Sequence, residues 1–346
     1  MGSVKDLNII KEPQKESAGV GRFNFSDRYS VFDWGEMPQH IENKGKSLCI
    51  IGAYFFEKLH SMGIKTHYRG LVEGDEAKQL KDLTEASGIM EVNLLRVIEP
   101  MLSGAVYSYA AYYDEKNNFL IPLEIIYRNY LPPGSSIYKR LQQGEVTLEE
   151  LGLDRLPGPG QQLVKPIYDV STKLEATDRY VNWKEAQKMA CLTEGEIKDI
   201  QSVMQEVNTL ISKETREMGL MNNDGKMELG FDENRDIVIV DVIGTPDECR
   251  FTSGNVPVSK EIARIFYRAT DWYEAVNEAK KKNRTDWKNQ VGMEPPLLPE
   301  KLALLTAQLY QAFANELSGR KWFDVPYLSD VLRETADILS ARSLRF

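Results

Sequence analysis

Apolar residues along the chain alternate between strand and helix spacing in a readable order. Near the N-terminus, VKDLNII and RFNFS flank the polar, glycine-containing KEPQKESAGVG, which predicts a hairpin with a long turn. SLCIIGAYFFEKLHSMG, residues 47–63, carries apolar residues at helical spacing and stops on a glycine. MEVNLLRVIEP (90–100) and FLIPLEIIYRNYL (119–131) read as strands, the second interrupted by Pro122 and closed by PPGSS. The Gly- and Pro-rich QQGEVTLEELGLDRLPGPGQQLVKP reads as an excursion or linker. A helix from about Glu194 to Met218 puts Ile197, Ile200, Met204, Val207, Leu210 and Ile211 on one side and ends at Gly219. A second β region, 225–243, leads into a nearly all-helical C-terminal third broken at EPPLLPE.

Against this pattern, SDRYSVFDWG stands out. Phe23 and Phe25 begin a strand, yet Asp27, Arg28, Ser30 and Asp33 follow among aromatics. A buried charge that loses its partner costs on the order of 3–5 kcal/mol. These residues therefore either cap and pair locally or face a ligand.

Composition narrows the function classes. The chain has 346 residues, 42% hydrophobic and 27% charged, enough for one large or two medium lobes with a full core. Net charge −9 argues against a nucleic-acid surface but leaves room for a local basic pocket. No apolar run approaches the roughly 20 residues of a bilayer span, and MGSVKDLN has no signal-like core, so the chain reads as cytosolic. Cys49, Cys191 and Cys249 are scattered and form no CxxC, so they read as small buried hydrophobes. His40, His60 and His67 match no metal motif, and no GxSxG elbow occurs. Catalysis would rest on carboxylates, lysines, arginines and an oxygen-held metal.

DGKMELGFDENRDIVIVDVIGTPDECRF carries the strongest chemistry. With Glu233 and Asn234 at the turn centre, Glu228 pairs with Ile239 and Lys226 with Asp241. Asp224, Lys226, Glu228 and Asp241 then share one face. Two carboxylates about 4 Å apart repel by about 4 kcal/mol at an effective dielectric near 20, a cost that a divalent cation reverses. A solvated face with Lys226 paired to an acid fits the same pattern. Arg128, with Ser135 and Ser136 in the turn beyond it, suits a phosphate or an ordinary surface turn. YDVSTKLEATDRYVN, with Lys173 and Asp178, reads as a loop. Lys260, Arg264 and Arg268 make a basic stripe on a helix that is either solvated or in contact with an anion.

Taken in order, VKDL, SDRYSVFDWG, IENKGKSL, IPLEIIYRNYLPPGS, VSTKLE, DGKMELG, DVIGTPDECRF and LSGRKW resemble the SAICAR synthetase family over most of the chain. The resemblance implies an α+β fold, with a β-rich N-terminal lobe (1–122) against a larger C-terminal lobe (123–346) whose last third is helical. It implies a ligase that uses ATP and Mg2+ to join L-aspartate to carboxyaminoimidazole ribonucleotide (CAIR), through an acyl phosphate, in purine biosynthesis. Its partners would be these small molecules alone, with no nucleic acid or membrane; the sequence does not address oligomeric state.

The resemblance also assigns residues. Lys226, Glu228 and Asp241 become the nucleotide and magnesium group, the two acids being metal ligands, and Lys5 joins them from the N-terminal hairpin. Asp27, Arg28, Ser30 and Asp33 line the substrate side, with Lys44 from the KG loop. Arg128 with Ser135 or Ser136 takes the ribonucleotide phosphate, while Asp178 and Arg250 lie near the imidazole and carboxylates and are catalytic together with Lys226. Lys173 and Arg264 complete the substrate set. The chain departs from the family pattern in four places, one of them Thr252, where a tryptophan usually follows the TPD…RF segment. Ser3 stands where the first hairpin usually has a lysine, Val242 follows Asp241, and YLPPGSS is one residue longer than the usual turn, which leaves the choice between Ser135 and Ser136 open. That longer turn would also permit a related amide ligase acting on another carboxylate or amine, and the missing lysine would suit a nucleotide-binding module without turnover.

Overall fold

The computed structural model describes residues 4–104, 106–132, 134–283 and 286–341. Ser3, and Pro133 of the long turn, lie outside them. Strands β1 (Lys5–Lys11) and β2 (Gly19–Phe25) form the expected hairpin, helix α1 (Lys44–Ser61) follows, and β3 (Tyr68–Glu73), β4 (Glu76–Lys78) and β5 (Ile89–Leu94) complete an antiparallel sheet in the order β1-β2-β5-β3-β4. α1 packs on this sheet because Leu48, Ile51, Phe55 and Leu59 recur at helical spacing and are all buried. A small hairpin, β6 (Met101–Ser103) and β7 (Val106–Ser108), comes next.

The second sheet is built on three long antiparallel strands. β8 (Phe119–Tyr130) is followed by α2 (Ser136–Gln143), β9 (Gln162–Thr172), β10 (Tyr180–Val181), α3 (Trp183–Met189), α4 (Glu194–Glu217), β11 (Met221–Phe231), β12 (Ile237–Val240), β13 (Cys249–Ser253) and β14 (Val256–Val258). The order is β10-β9-β8-β11-β13-β14, and β12 pairs with the far end of β11. Helices α5 (Glu261–Arg268), α6 (Asp271–Lys282), α7 (Glu300–Ser318) and α8 (Leu328–Ala341) make the helical C-terminal part, and α7 packs against α1. A capping box at Thr193 and Glu196 starts α4 where the apolar stripe begins.

Two expectations need correction. β8 runs through Pro122 unbroken. The segment expected to be a loop around Tyr168 is strand as far as Thr172, because β9 pairs with β8 along its length. The Gly- and Pro-rich excursion is pinned by its own cluster of Leu131, Ile137, Leu163 and Ile167, with Leu141, Leu151 and Leu153 packed on it.

The β11–β12 register is also one residue off the expected one: Glu228 pairs with Val240 and Leu229 with Ile239. On strand geometry alone that slip would turn Asp241 away from Glu228. Asp241 lies just past β12 with φ +65°, a left-handed conformation that reverses the alternation. The two sheets meet beside it, where Ile239 N–H donates to Lys65 O (3.0 Å) and His67 N–H to Ile239 O (2.9 Å).

Candidate active site

Period-two alternation on β8, β9 and β11 builds one polar face. Asp224, Lys226 and Glu228 on β11 lie opposite Arg128, Ile126 and Glu124 on β8, and Ile126 lies opposite Asp169 on β9. Gly225, between Asp224 and Lys226, must be glycine because a Cβ there would overlap the Tyr127 hydroxyl.

One end of this face is cationic. Arg128, only 3% exposed, donates to Asp169 (3.3 Å), Tyr180 Oη (3.1 Å) and Ser136 Oγ (3.3 Å). Arg140 donates to Asp169 at 2.5 Å and lies 4.0 Å over the Tyr180 ring. Arg250 on β13 forks onto both carboxylate oxygens of Asp224, and these opposed charges raise its pKa against the lowering effect of burial. Ser136 supplies the hydroxyl beside Arg128, while Ser135 caps α2 by accepting from Ile137 N–H (3.4 Å). The Nε groups of Arg128 and Arg140 are buried and find no acceptor among the described residues. Unsatisfied buried guanidinium donors fit an anionic group such as phosphate.

The other end is acidic. Glu124 and Glu228 face each other across the β8–β11 ladder, an arrangement that costs stability unless cations separate the charges. Two lysines do so. Lys173 Nζ lies 2.7 Å from Glu228 and 3.8 Å from Glu124, and Lys226 Nζ lies 2.7 Å from Glu124 and 3.4 Å from Glu248. Lys5 crosses from the N-terminal sheet to pair with Asp241, over the Phe23 ring. Burial, then the nearby Asp241 carboxylate, pushes Glu228 up to about 7, whereas Lys5 holds Asp241 below the usual carboxylate range despite burial. Burial would lower the Lys226 ammonium, but Glu248 and Glu124 raise it well above its ordinary value. The carboxylates of Glu124, Glu228, Asp241 and Glu248 outnumber the ammonium groups of Lys5, Lys173 and Lys226 by one. Two repelling carboxylates suit Mg2+, which is commonly held by one or two such groups plus substrate phosphates. Among the described residues no group of three or more His, Cys, Asp or Glu gathers as a ready-made metal site.

Asp178 sits at the rim, exposed on its outer side. Partial loss of water and the Glu124 charge push its carboxyl up, against Lys173 and Lys226. Arg264 and Arg268 share the single Glu261 carboxylate on α5 (3.1 and 2.6 Å), which offsets part of the basic stripe, and Lys260 precedes that helix.

The SDRYSVFDWG charges find partners within the chain, most of them far away in sequence. Asp27 accepts from Asn43 N–H (3.0 Å) and Gly45 N–H (2.9 Å), capping α1 in place of a side chain from the cap residue itself. Arg28 pairs with Asp6 (2.7 Å), and Ser30 is half-buried between buried Tyr29 and Val31. Asp33 is exposed at φ +60° and pairs with Lys280 on α6 (2.9 Å). Lys44, expected to touch substrate, is fully buried. Its Nζ pairs with Asp247 at 2.7 Å, and Asp247 also accepts from Tyr310 (2.7 Å). Burial pulls the Lys44 ammonium down, and Lys44 in turn holds Asp247 well below the usual range although burial opposes it.

Comparison with known proteins identifies the family. A family model described as SAICAR synthetase matches residues 2–284. The chain belongs to the SAICAR synthetase family. A protein of Archaeoglobus fulgidus, provisionally named phosphoribosylaminoimidazole-succinocarboxamide synthase, is 46% identical over 98% of this chain and 100% of its own length. The synthase of that name from Thermoplasma acidophilum is 31% identical over 87% of this chain and 93% of its own. Among solved structures, the Saccharomyces cerevisiae SAICAR synthase complexed with SAICAR superposes with TM-score 0.63 at 21% identity, covering 94% of this chain and 95% of that one. A SAICAR synthetase in complex with ADP gives TM-score 0.55 at 24% identity, covering 86% and 99%. These structures show the α+β fold. The family joins aspartate to CAIR with ATP in purine biosynthesis.

The sequence reading missed Glu124, Asp169, Arg140, Tyr180, Asp247 and Glu248. Glu124 had a signal, a lone acid four residues before Arg128 in an otherwise apolar strand. Asp247 and Glu248 lie in the quoted TPDEC segment, where nothing shows that one turns inward and the other toward Lys226.

Proposed function

We propose that this chain uses ATP to phosphorylate the carboxylate of CAIR and then joins that carbon to the amine of L-aspartate, releasing SAICAR, ADP and phosphate. The observation that carries the assignment of the site is the continuous face of β9, β8, β11 and β13. It offers unsatisfied guanidinium groups at one end and a lysine-bridged carboxylate cluster at the other. The ribonucleotide lies along this face, its phosphate on Arg128, Arg140 and Ser136 and its carboxylate toward the acidic end. The nucleotide sits between the N-terminal sheet, within residues 1–122, and β11, its phosphates near Lys5 and Lys226. Glu228 and Asp241 would hold Mg2+, which would supply charge neutralisation for those phosphates.

A carboxylate is a poor electrophile. When one of its oxygens takes the γ-phosphoryl group, ADP leaves and the carbon becomes an acyl phosphate. The aspartate amine then attacks that carbon, inorganic phosphate departs with the carboxylate oxygen, and Asp178 takes up the proton lost by nitrogen. Arg250, held by Asp224, and Lys173 keep the substrate carboxylates in register. Positioning and charge stabilisation carry the rate, and no protein nucleophile is required.

ADP release measured with CAIR and a panel of amino acids tests the substrates, aspartate alone being expected to support turnover. With oxygen-18 in the CAIR carboxylate, one labelled oxygen is expected in inorganic phosphate. Unlabelled phosphate, or turnover with another amine in place of aspartate, would overturn the assignment.

A further inference from the structure

Residues 106–112 hold the loop that carries Lys173 and Asp178. Residues 173–179 join β9 to β10 and present Lys173 to Glu228 and Asp178 to the rim. Within the loop, Leu174 has φ +72°, a left-handed conformation unfavourable for a leucine. Such strain persists only where the surroundings fix it. Two tyrosines beyond β6 supply the fixing contacts. The Tyr109 hydroxyl donates to Glu175 Oε1 at 2.7 Å, and Ala176 N–H donates to the Tyr107 hydroxyl oxygen at 2.9 Å. Glu175 is almost fully buried and also accepts from Arg179, which reaches on to Glu185. The tyrosines are themselves anchored. Tyr109 is 7% exposed and packs on Tyr112, which is fully buried, donates to Ile98 O at 2.5 Å and stacks edge-on against Phe119 at the start of β8. Burial and the Glu175 carboxylate hold the Tyr109 hydroxyl well above its ordinary pKa, so it remains a donor.

We propose that Tyr107 and Tyr109 form a clamp that holds the strained 173–179 loop, making them positioning residues for Lys173 and Asp178. The clamp reaches the reaction only through the loop, because neither tyrosine hydroxyl bonds to the polar face itself. The inference rests on the ligase reading above. A misplacement of about 1 Å can cost on the order of 100-fold in rate, so a lost clamp contact should register in turnover before it registers in folding.

The test uses the full chain and pairs kinetics with amide hydrogen exchange. Tyr109→Phe is expected to lower kcat 10- to 100-fold, by that same effect, and to speed exchange at 173–179, leaving ATP binding and exchange in β8 and β11 unchanged. Tyr107→Phe should act in the same direction. Glu175→Gln keeps an acceptor for the tyrosine and should stay within a few-fold of the parent. The double variant Tyr109→Phe with Glu175→Ala should be no worse than Glu175→Ala alone. Unchanged exchange at 173–179, or additive losses in the double variant, would overturn the clamp. If the parent chain fails to join aspartate to CAIR while Tyr109→Phe still frees the loop, the ligase reading falls and the clamp stands.

Discussion

Lys173 Nζ lies 2.7 Å from Glu228 and 3.8 Å from Glu124, so this ammonium reaches both carboxylates that the β8–β11 ladder places face to face. Burial first, and the nearby Asp241 carboxylate second, raise the Glu228 carboxyl against Lys173 and Lys5. Glu228→Gln and Asp241→Asn keep volume and remove charge. Each is expected to lower magnesium-dependent turnover by about 10²-fold or more, in the range of losing one transition-state charge contact, without changing the unfolding midpoint by much. Turnover at the parent rate across a magnesium titration would remove that residue from the metal site.

Arg128 meets Asp169, Tyr180 and Ser136 through one guanidinium nitrogen and approaches Asp224 through another (3.8 Å). A lysine replaces that planar fork with a point charge. Arg128→Lys should raise KM for the ribonucleotide about 10- to 100-fold, equivalent to roughly one to two strong hydrogen bonds, with KM for ATP nearly unchanged. Equal losses for both substrates would mean that Arg128 serves the face as a whole and not the phosphate.

These sites were legible in the sequence to different depths. Strand alternation was enough to put Asp224, Lys226 and Glu228 on one face, because their spacing of two is local. Asp241 joined them for a reason that alternation cannot supply. The register slipped by one residue and a left-handed backbone at Asp241 restored the side. Glu124 and Asp169 were hidden because their partners are far away in sequence: the Lys226–Glu124 pair spans 102 residues and the Arg140–Asp169 pair 29. Helices α1 and α4 were read nearly to their ends, since an apolar stripe closed by a glycine stop is local information. The 101–118 segment gave no such signal. Its strands are three residues long and expose Met101, Leu102 and Val106, so periodicity has nothing to work on.

Glu73 gives a pH dependence away from the active site. Its carboxylate accepts from Lys78 Nζ (2.6 Å), from the hydroxyl and N–H of Thr84 (both 2.7 Å) and from Glu85 N–H (3.1 Å), stapling β3 and β4 to the segment that leads to β5. Lys78 first, then Thr84, lowers its pKa to about 2 from an ordinary 4.5. A depressed carboxyl pKa contributes stability above the unfolded value and loses it as pH falls through the folded one. The staple should therefore be complete at pH 5 and release progressively as pH falls toward about 2. An NMR titration of the Glu73 carboxyl carbon, with exchange at the Thr84 amide, reads this directly. A midpoint at the ordinary value would show that the staple does not hold in solution.

Lys44 and Asp247 bring the KG loop and the TPDEC segment together in the interior, their side chains 1% and 2% exposed and 2.7 Å apart. The pair is satisfied beyond its own contact, since Tyr310 donates to the second carboxylate oxygen and its ring lies 5.5 Å from the ammonium. It also ties α1 to α7, whose packing joins the N-terminal sheet to the helical part. Removing one partner leaves a buried, uncompensated charge, whereas replacing both with apolar side chains of similar size need not be costly. Lys44→Met is therefore expected to cost about 3–5 kcal/mol in urea unfolding, and Lys44→Met combined with Asp247→Leu should recover most of that loss. A substrate-contacting lysine would behave in the opposite way: Lys44→Met would leave the unfolding midpoint near the parent value and raise KM, and the second substitution would restore nothing. Unfolding curves and ribonucleotide KM measured on the same three chains separate the two roles, because charge burial is relieved by removing the partner and a lost substrate contact is not.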